Sequence, residues 1–424
     1  MAYIFSLKGN QSEIKQDFFP TIQLDGNYSC GMITSKELIS YGPFSGSSLS
    51  HGSSIRIGIQ NKDAILSLSE SDLLIQGTIK KVDDGSAVTS ALINNGIAHL
   101  FEVVSYKMNE QVICTVYNPG VASTLNGFAV LSSDQVKGLS NASWISDGQL
   151  DGTKFNLTKD GNFLFTVPLS LLLPFFATYK KVITNARHEL SLTRSRTDEN
   201  AVKSASKLNI DITKIEWRVP TIHLNDVARL HMLDLIKRNV TINVAFRNYD
   251  LVTYPTLPTT HKHSWMVKTT NNLNAPRYVI FAMQTDRIDD FKKNNQIFDF
   301  NDLSSIRLFL NERQFPQQDV FFQNSTGEIA TLYDMYLRFK SSYYNQETTY
   351  EHPLFDIENF MAFSPIVCFD CSRQNEIFTT NSVDIRIDFE CKKPIPAKTT
   401  AYMLLISDSL FELKMQTGDI KRII

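Results

Sequence analysis

An all-β chain of antiparallel sandwiches is what the amino-acid sequence predicts, and three observations carry that prediction. Eight residues near the C-terminus, Val383, Asp384, Ile385, Arg386, Ile387, Asp388, Phe389 and Glu390, alternate apolar and charged without a fault. That is the period of a strand with one face in a core and the other in water. The same alternation recurs at Ile55, Ile57 and Ile59, at Leu208, Ile210 and Ile212, and at Ile242, Val244 and Phe246. No helical stretch is comparably strong. One-sided strands belong to antiparallel sandwiches and barrels, whereas parallel sheets are apolar on both faces.

Taken in order, residues 1–50 hold no sustained period and read as an N-terminal arm, with Phe18-Phe19-Pro20 and Pro43-Phe44 as apolar anchors in polar sequence. Strands follow at 54–60, 72–80, 97–107 and 111–117, punctuated by the turn residues Asp83-Asp84-Gly85 and Asn94-Asn95-Gly96. A Ser/Asn/Gly-rich stretch covers 118–162, and strands return at 162–167, 187–194 and 207–219. In the last of these the apolar phase slips between Ile212 and Ile215, which predicts a bulge near Thr213-Lys214. Asn225 is placed to cap a short helix whose stripe is Val227, Leu230, Leu233 and Ile236. Further strands read at 240–247, 264–269, 277–285, 304–311, 365–370, 382–391 and 400–407. A second helix fits Leu332, Met335, Tyr336, Phe339 and Tyr343.

The halves read as one pattern used twice. Tyr106-Lys107-Met108-Asn109-Glu110-Gln111 joins two strands in the first, and Phe309-Leu310-Asn311-Glu312-Arg313-Gln314 takes the same relative place in the second. An irregular or helical excursion follows each, and each half closes on a strongly alternating strand and one more. The expected architecture is two tandem eight-stranded antiparallel jelly-roll β-sandwiches with short helices in the connecting loops. The expected division is an arm over 1–50, a first jelly roll over 51–220 and a second over 221–424.

Composition narrows the function. A chain of 424 residues with 42% hydrophobic and 20% charged residues is globular. Its 28 Phe and 15 Tyr suit strands and large contact surfaces. Net charge is −2 and no run of Lys or Arg exceeds two, so direct nucleic-acid binding is expected to be weak or absent. The five Cys make no disulfide framework and read as buried thiols in a reducing compartment. The N-terminus lacks the apolar stretch of a signal peptide, and the most apolar segment, 163–179, carries Pro168 and Pro174 and is too short to span a bilayer.

No P-loop, dinucleotide fingerprint, nucleophile elbow or HExxH motif is present. Cys368-Phe369-Asp370-Cys371 has the spacing of half a zinc site but lacks a second pair, and residues three apart on a strand face opposite ways. His261-Lys262-His263 follows a proline-bearing connection and reads as a loop leading into a strand at Ser264, and Asp289-Asp290 as a solvated loop. No catalytic residue, metal ligand or cofactor is expected. Candidate subunit contacts are the anchors Phe18 and Phe19, the basic cluster Arg187, Arg194 and Arg196, with the last two on one strand face, and Tyr336, Tyr343 and Tyr344. For the tyrosines, interface and core are equally weighted.

Several blocks resemble a known family: Asn185-Ala186-Arg187-His188-Glu189-Leu190, Lys262-His263-Ser264-Trp265, Pro276-Arg277-Tyr278-Val279-Ile280-Phe281-Ala282, Leu332-Tyr333-Asp334-Met335-Tyr336, Asp370-Cys371-Ser372-Arg373-Gln374-Asn375-Glu376, Phe389-Glu390-Cys391-Lys392 and Thr399-Thr400-Ala401-Tyr402. The family is the double jelly-roll-like proteins of virus-derived and Polinton-type elements, which are similar to the major capsid proteins of tailless icosahedral double-stranded DNA viruses. The resemblance runs in order over residues 50–424. It implies two upright jelly rolls per chain, a homotrimeric pseudo-hexagonal capsomer, a capsid lattice that penton or minor capsid proteins complete, a place in the virion after assembly inside a host cell, and no catalytic residues. Two other readings use the same fold class: a host-retained ligand- or carbohydrate-binding sandwich, which needs exposed Trp or Tyr in a concave site, and a cupin-type enzyme, which needs a His/Glu cluster on neighbouring strands.

Overall fold

The computed structural model describes residues 33–45, 48–88, 90–145, 160–267, 275–311, 313–322, 329–345, 352–372 and 383–423. The first part of the chain supplies β1 (Ile33–Tyr41), β2 (Ser54–Ile59), β3 (Ile65–Leu66), β4 (Asp72–Lys81), β5 (Phe101–Met108), β6 (Gln111–Tyr117), β7 (Asn162–Pro168), β8 (His188–Arg194) and β9 (Leu208–Leu224). The second supplies β10 (Thr241–Tyr254), β11 (Lys262–Val267), β12 (Pro276–Thr285), β13 (Leu303–Leu310), β14 (Arg313–Phe321), β15 (Val367–Asp370), β16 (Ile385–Cys391), β17 (Thr399–Lys414) and β18 (Ile420–Arg422). The helices are α1 (Pro119–Val130), α2 (Ser133–Gly138), α3 (Leu169–Leu172), α4 (Pro174–Thr178), α5 (Asp226–Lys237), α6 (Ile329–Tyr344) and α7 (Ile357–Phe363).

The sheets are antiparallel and ordered β1-β9-β4-β7 and β2-β8-β5-β6, then β10-β17-β12-β15 and β11-β16-β13-β14, with β3 added to β9 and β18 to β17. Leaving out β3 and β18 and counting strands one to eight within each half, both halves read 1-8-3-6 and 2-7-4-5. Two sheets with this order are a jelly roll, and the chain contains it twice. Alternation explains the register: β16 buries Ile385, Ile387, Phe389 and Cys391, and β8 buries every second residue. The bulge sits where the phase slips, because Gln76 pairs with Lys214 and Gly77 with Ile212, leaving Thr213 over.

The duplication extends to single hydrogen bonds. Asn109 and Asn311 turn the hairpins between strands four and five with left-handed φ of 46° and 54°, a region that asparagine tolerates. Asn109 donates its N–H to Arg187 O at 3.0 Å, and Asn311 donates to Asp384 O at 2.7 Å. In return Arg187 N–H donates to Asn109 Oδ1 at 2.7 Å and Asp384 N–H to Asn311 Oδ1 at 2.9 Å. Arg187 and Asp384 each immediately precede strand seven of their half. Both helical excursions also leave from one place, between strands five and six, as α1–α2 and α6–α7.

The two sandwiches share one apolar core. Phe175 on α4 stacks on Tyr106 at 4.9 Å and meets Phe246 of β10 edge-on at 5.3 Å. Phe128 on α1 meets Phe298 and Phe355 of the second half at 6.4 and 5.1 Å. Polar bonds cross as well: Asn109 Nδ2 donates to Gly418 O at 2.9 Å, Asn185 Nδ2 to Met415 O at 2.6 Å, and Ser204 N–H to Phe291 O at 2.8 Å. Buried His99 bonds Gln296 across the same boundary.

Several expectations need correction. Residues 33–41, expected in the arm, form β1 and pair with β9 from Ile33↔Leu224 to Tyr41↔Trp217. As an outer strand of a sheet, β1 leaves most of its side chains in solvent and shows no alternation. The boundary expected at 220 falls inside β9. The strand expected from 97 starts at Phe101, after a 3₁₀ turn over Gly96–Leu100. The stretch 118–162 contains α1 and α2, and His261-Lys262-His263 leads into a strand that starts at Lys262.

Candidate assembly surface

The basic cluster separates into one buried and two exposed side chains. On β8 the inward positions are His188, Leu190, Leu192 and Arg194. Arg194, 1% exposed, is therefore carried into the core by the strand period and does not share a face with Arg196. Its guanidinium pairs with buried Asp198 and donates to Leu100 O at 2.7 Å and Ile210 O at 3.2 Å. Asp198 also accepts from Ile210 N–H at 2.8 Å. A buried cation needs such a partner set, and Asp198, four residues on, was the available signal. Arg187 and Arg196 are exposed. Arg187 lines a concavity of about 180 Å³ with Arg56, Gln60, Lys107, Glu110, His188 and Glu189. Within it Lys107 lies 3.6 Å from Glu189.

The tyrosines divide the same way. α6 buries Leu332, Tyr336, Phe339 and Tyr343, four of the five residues of the stripe its periodicity predicts, and leaves Met335 half-buried. Tyr336 stacks on Phe360 at 4.8 Å. Tyr343 lies under the Arg247 guanidinium at 4.3 Å and its hydroxyl is 3.0 Å from that of Tyr249. Tyr336 and Tyr343 thus serve the core of the second sandwich. Tyr344 remains 38% exposed and is the one of the three available to a neighbour. Phe18 and Phe19 lie outside the described residues.

Other exposed apolar side chains were not anticipated. Tyr117 ends β6 and Phe321 ends β14, 62% and 57% exposed. Both end strand five, an outer strand of its sheet, so the two halves present an aromatic ring at the same topological position. Leu38 on β1, Leu164 on β7 and Met266 on β11 are further exposed residues on outer strands. Such strands pair with other chains unless covered. Alternation in a sequence does not say which strand will be outermost. Of the α5 stripe, Val227, Leu230 and Leu233 point outward, Ile236 packs against the core, and Ala228 and Met232 are buried. Asn225 does cap this helix, accepting from Ala228 N–H at 2.8 Å.

The chemistry-bearing residues are placed structurally. Cys368 and Cys371 are buried, and burial raises both thiols. Burial pushes the Cys114 thiol up to about 12. His188 is buried, lowered to about 3 by desolvation, and bonded through Nδ1 to the Tyr106 hydroxyl at 2.7 Å. His263 stacks on Phe389 at 4.8 Å. Asp289 accepts from Asn200 Nδ2 at 2.8 Å across the sandwich boundary. Among the described residues no group of three His, Cys, Asp or Glu is placed to hold a metal ion, and no helix is long and apolar enough to cross a membrane.

A family model described as a double jelly roll-like domain matches residues 90–411. The fold is similar to the mavirus major capsid protein, with a TM-score of 0.58 and 12% identity over 91% of this chain and 90% of that one. It is similar to a chain of the Sputnik virophage structure, with a TM-score of 0.57 and 11% identity over 93% and 89%. The Faustovirus major capsid protein gives a TM-score of 0.53 and 9% identity over 90% of each chain. No curated protein matches the sequence.

Proposed function

The chain belongs to the double jelly roll-like domain family, and from that premise we propose that it is a major capsid protein that trimerises into pseudo-hexagonal capsomers and builds an icosahedral shell. The observation that carries the reading is the duplicated strand order, 1-8-3-6 and 2-7-4-5 in each half. Three chains would offer six sandwiches of one topology, and a closed threefold ring satisfies the contacts between them. The shared core makes each chain a stiff block. The matched rings of Tyr117 and Phe321, with Tyr344, Arg187 and Arg196, are the contacts this assembly would draw on. Penton or minor capsid proteins would complete the shell, its place is the virion, and a net charge of −2 gives direct nucleic-acid binding little support.

A carbohydrate-binding role needs exposed Trp or Tyr in a concave site, yet Trp144, Trp217 and Trp265 are 1%, 0% and 7% exposed and the concavity beside Arg187 is lined by neither Trp nor Tyr. That favours the capsid reading. Light scattering coupled to size exclusion should give about 144 kDa, three times the 48.1 kDa chain. Electron microscopy should show shells as salt and pH are varied. A strict monomer at micromolar concentration, with no particles in any condition, overturns the proposal.

A further inference from the structure

Helix α5 turns three of the four residues of its apolar stripe away from the protein, with Ile236 packed against the core. Val227, Leu230 and Leu233 are 74%, 67% and 45% exposed, while Ala228 and Met232 face the sandwich. Three large aliphatic side chains at a three-residue spacing on one helix face require a cover. We infer that residues 1–32 of the same chain provide it, with Phe18 and Phe19 seated on the Val227–Leu230–Leu233 stripe.

Three observations select this occupant. The first is where the described chain begins. β1 runs antiparallel to β9 and opens with Ile33 opposite Leu224. Leu224 immediately precedes Asn225, the cap of α5. Residues 1–32 therefore join the sheet beside the start of the helix, and Val227 is only three residues, at most about 11 Å of chain, beyond Leu224. The second is reach. Phe19 precedes Ile33 by 14 residues, which span up to roughly 46–50 Å when extended, and Val227 to Leu233 covers about 9 Å of helix. The third is size. Three side chains on one short stripe fall well short of the ~800 Å² that each partner contributes to a stable contact between folded proteins, but they match an aromatic pair on a peptide segment.

Thiol protection tests this. In a Cys30→Ser background, Leu230→Cys would be an exposed thiol, since Cys114, Cys368, Cys371 and Cys391 are buried. With the native Phe18 and Phe19 it should react with a maleimide at least tenfold more slowly than with Phe18→Ser and Phe19→Ser. The substitutions lie ahead of β1 and on an exposed helix position, and near-ultraviolet circular dichroism checks that the fold is retained. Phe19→Cys paired with Leu230→Cys should form an intrachain disulfide on oxidation. Equal labelling rates overturn the inference. So does protection that survives Phe18→Ser and Phe19→Ser and grows with protein concentration, which would assign the cover to the body of another copy. Interchain disulfides alone would assign it to another copy's segment and overturn the same-chain contact.

Discussion

Replacing Asn311 by alanine should destabilise the chain by about 1.5–3.5 kcal/mol. Two costs add. Asn311 holds a φ of 54°, and an alanine Cβ in that left-handed region costs about 1–2 kcal/mol. Its Oδ1 also accepts from Asp384 N–H at 2.9 Å, a bond worth about 0.5–1.5 kcal/mol net. Asn311 is exposed, so water can replace the lost acceptor and the lower half of the range is expected. Asn311→Gly separates the two costs. It keeps the turn without strain and loses the bond, plus about 0.5–1 kcal/mol of backbone entropy. Asn109→Ala removes the same two features and also the bond from Nδ2 to Gly418 O at 2.9 Å, so it should cost about 0.5–1.5 kcal/mol more than Asn311→Ala. Urea unfolding followed by tryptophan fluorescence measures all three, since Trp217 reports on the first sandwich and Trp265 on the second. If Asn311→Ala is no worse than Asn311→Gly, the backbone argument fails. If Asn109→Ala is no worse than Asn311→Ala, the bond to Gly418 contributes nothing.

Arg194→Met should lose up to about 3–5 kcal/mol by taking the guanidinium from buried Asp198, with His51 Nε2 at 2.9 Å and Ile210 N–H at 2.8 Å remaining to offset part of that loss, whereas Arg196→Ala should stay within about 0.5 kcal/mol in stability; equal effects in urea would show that the buried pair is unimportant. Burial lowers His99 to about 4 and His188 to about 3 from 6.5. Because the folded values lie below the unfolded one, the unfolded chain takes up these protons first as pH falls. The stabilisation is present above pH 6.5 and drains away down to about pH 4 for His99 and about pH 3 for His188, at about 1.4 kcal/mol per unit for each group. Urea midpoints at pH 7 and 5 should differ by roughly 2 kcal/mol per histidine, and identical midpoints would refute the assignment. Protein purified without chelators should carry zinc well below one per chain, because burial disfavours the Cys368 and Cys371 thiolates; a stoichiometric signal lost in Cys371→Ser would contradict this.

What the sequence made legible was whatever obeys a period or a turn. The alternation of 383–390 became β16, the phase slip became the Thr213 bulge, and the stripe of Leu332 to Tyr343 became the buried face of α6. Asn109 and Asn311 were visible as hairpin turns because few other residues accept that backbone. α1 was hidden for the opposite reason: it is buried on nearly every side, so it carries no polar face to mark a helical period. Its start at Pro119 and the Ser132–Gln135 capping box of α2 were the local cues. β1 was hidden because an outer strand buries too little to alternate. The surface was the least legible part. Arg194 looked like a surface cation because a charged residue at an inward strand position is rare, and the stripe of α5 gave a face without saying which way it points: Ile236 packs on the core while Val227, Leu230 and Leu233 face out.

Matched rings at the ends of β6 and β14 bear on how much information one gene can place in a lattice. In the proposed lattice, a neighbour that gripped Tyr117 on one half would find Phe321 at the same address on the other, so a single connector would serve both halves and the contact would be degenerate between them. Leu38, Leu164 and Met266 have no such counterpart among the described exposed residues, and in that lattice they would break the degeneracy. A tile with interchangeable connectors and a few unpaired marks can be added in several orientations at first and still be sorted into one.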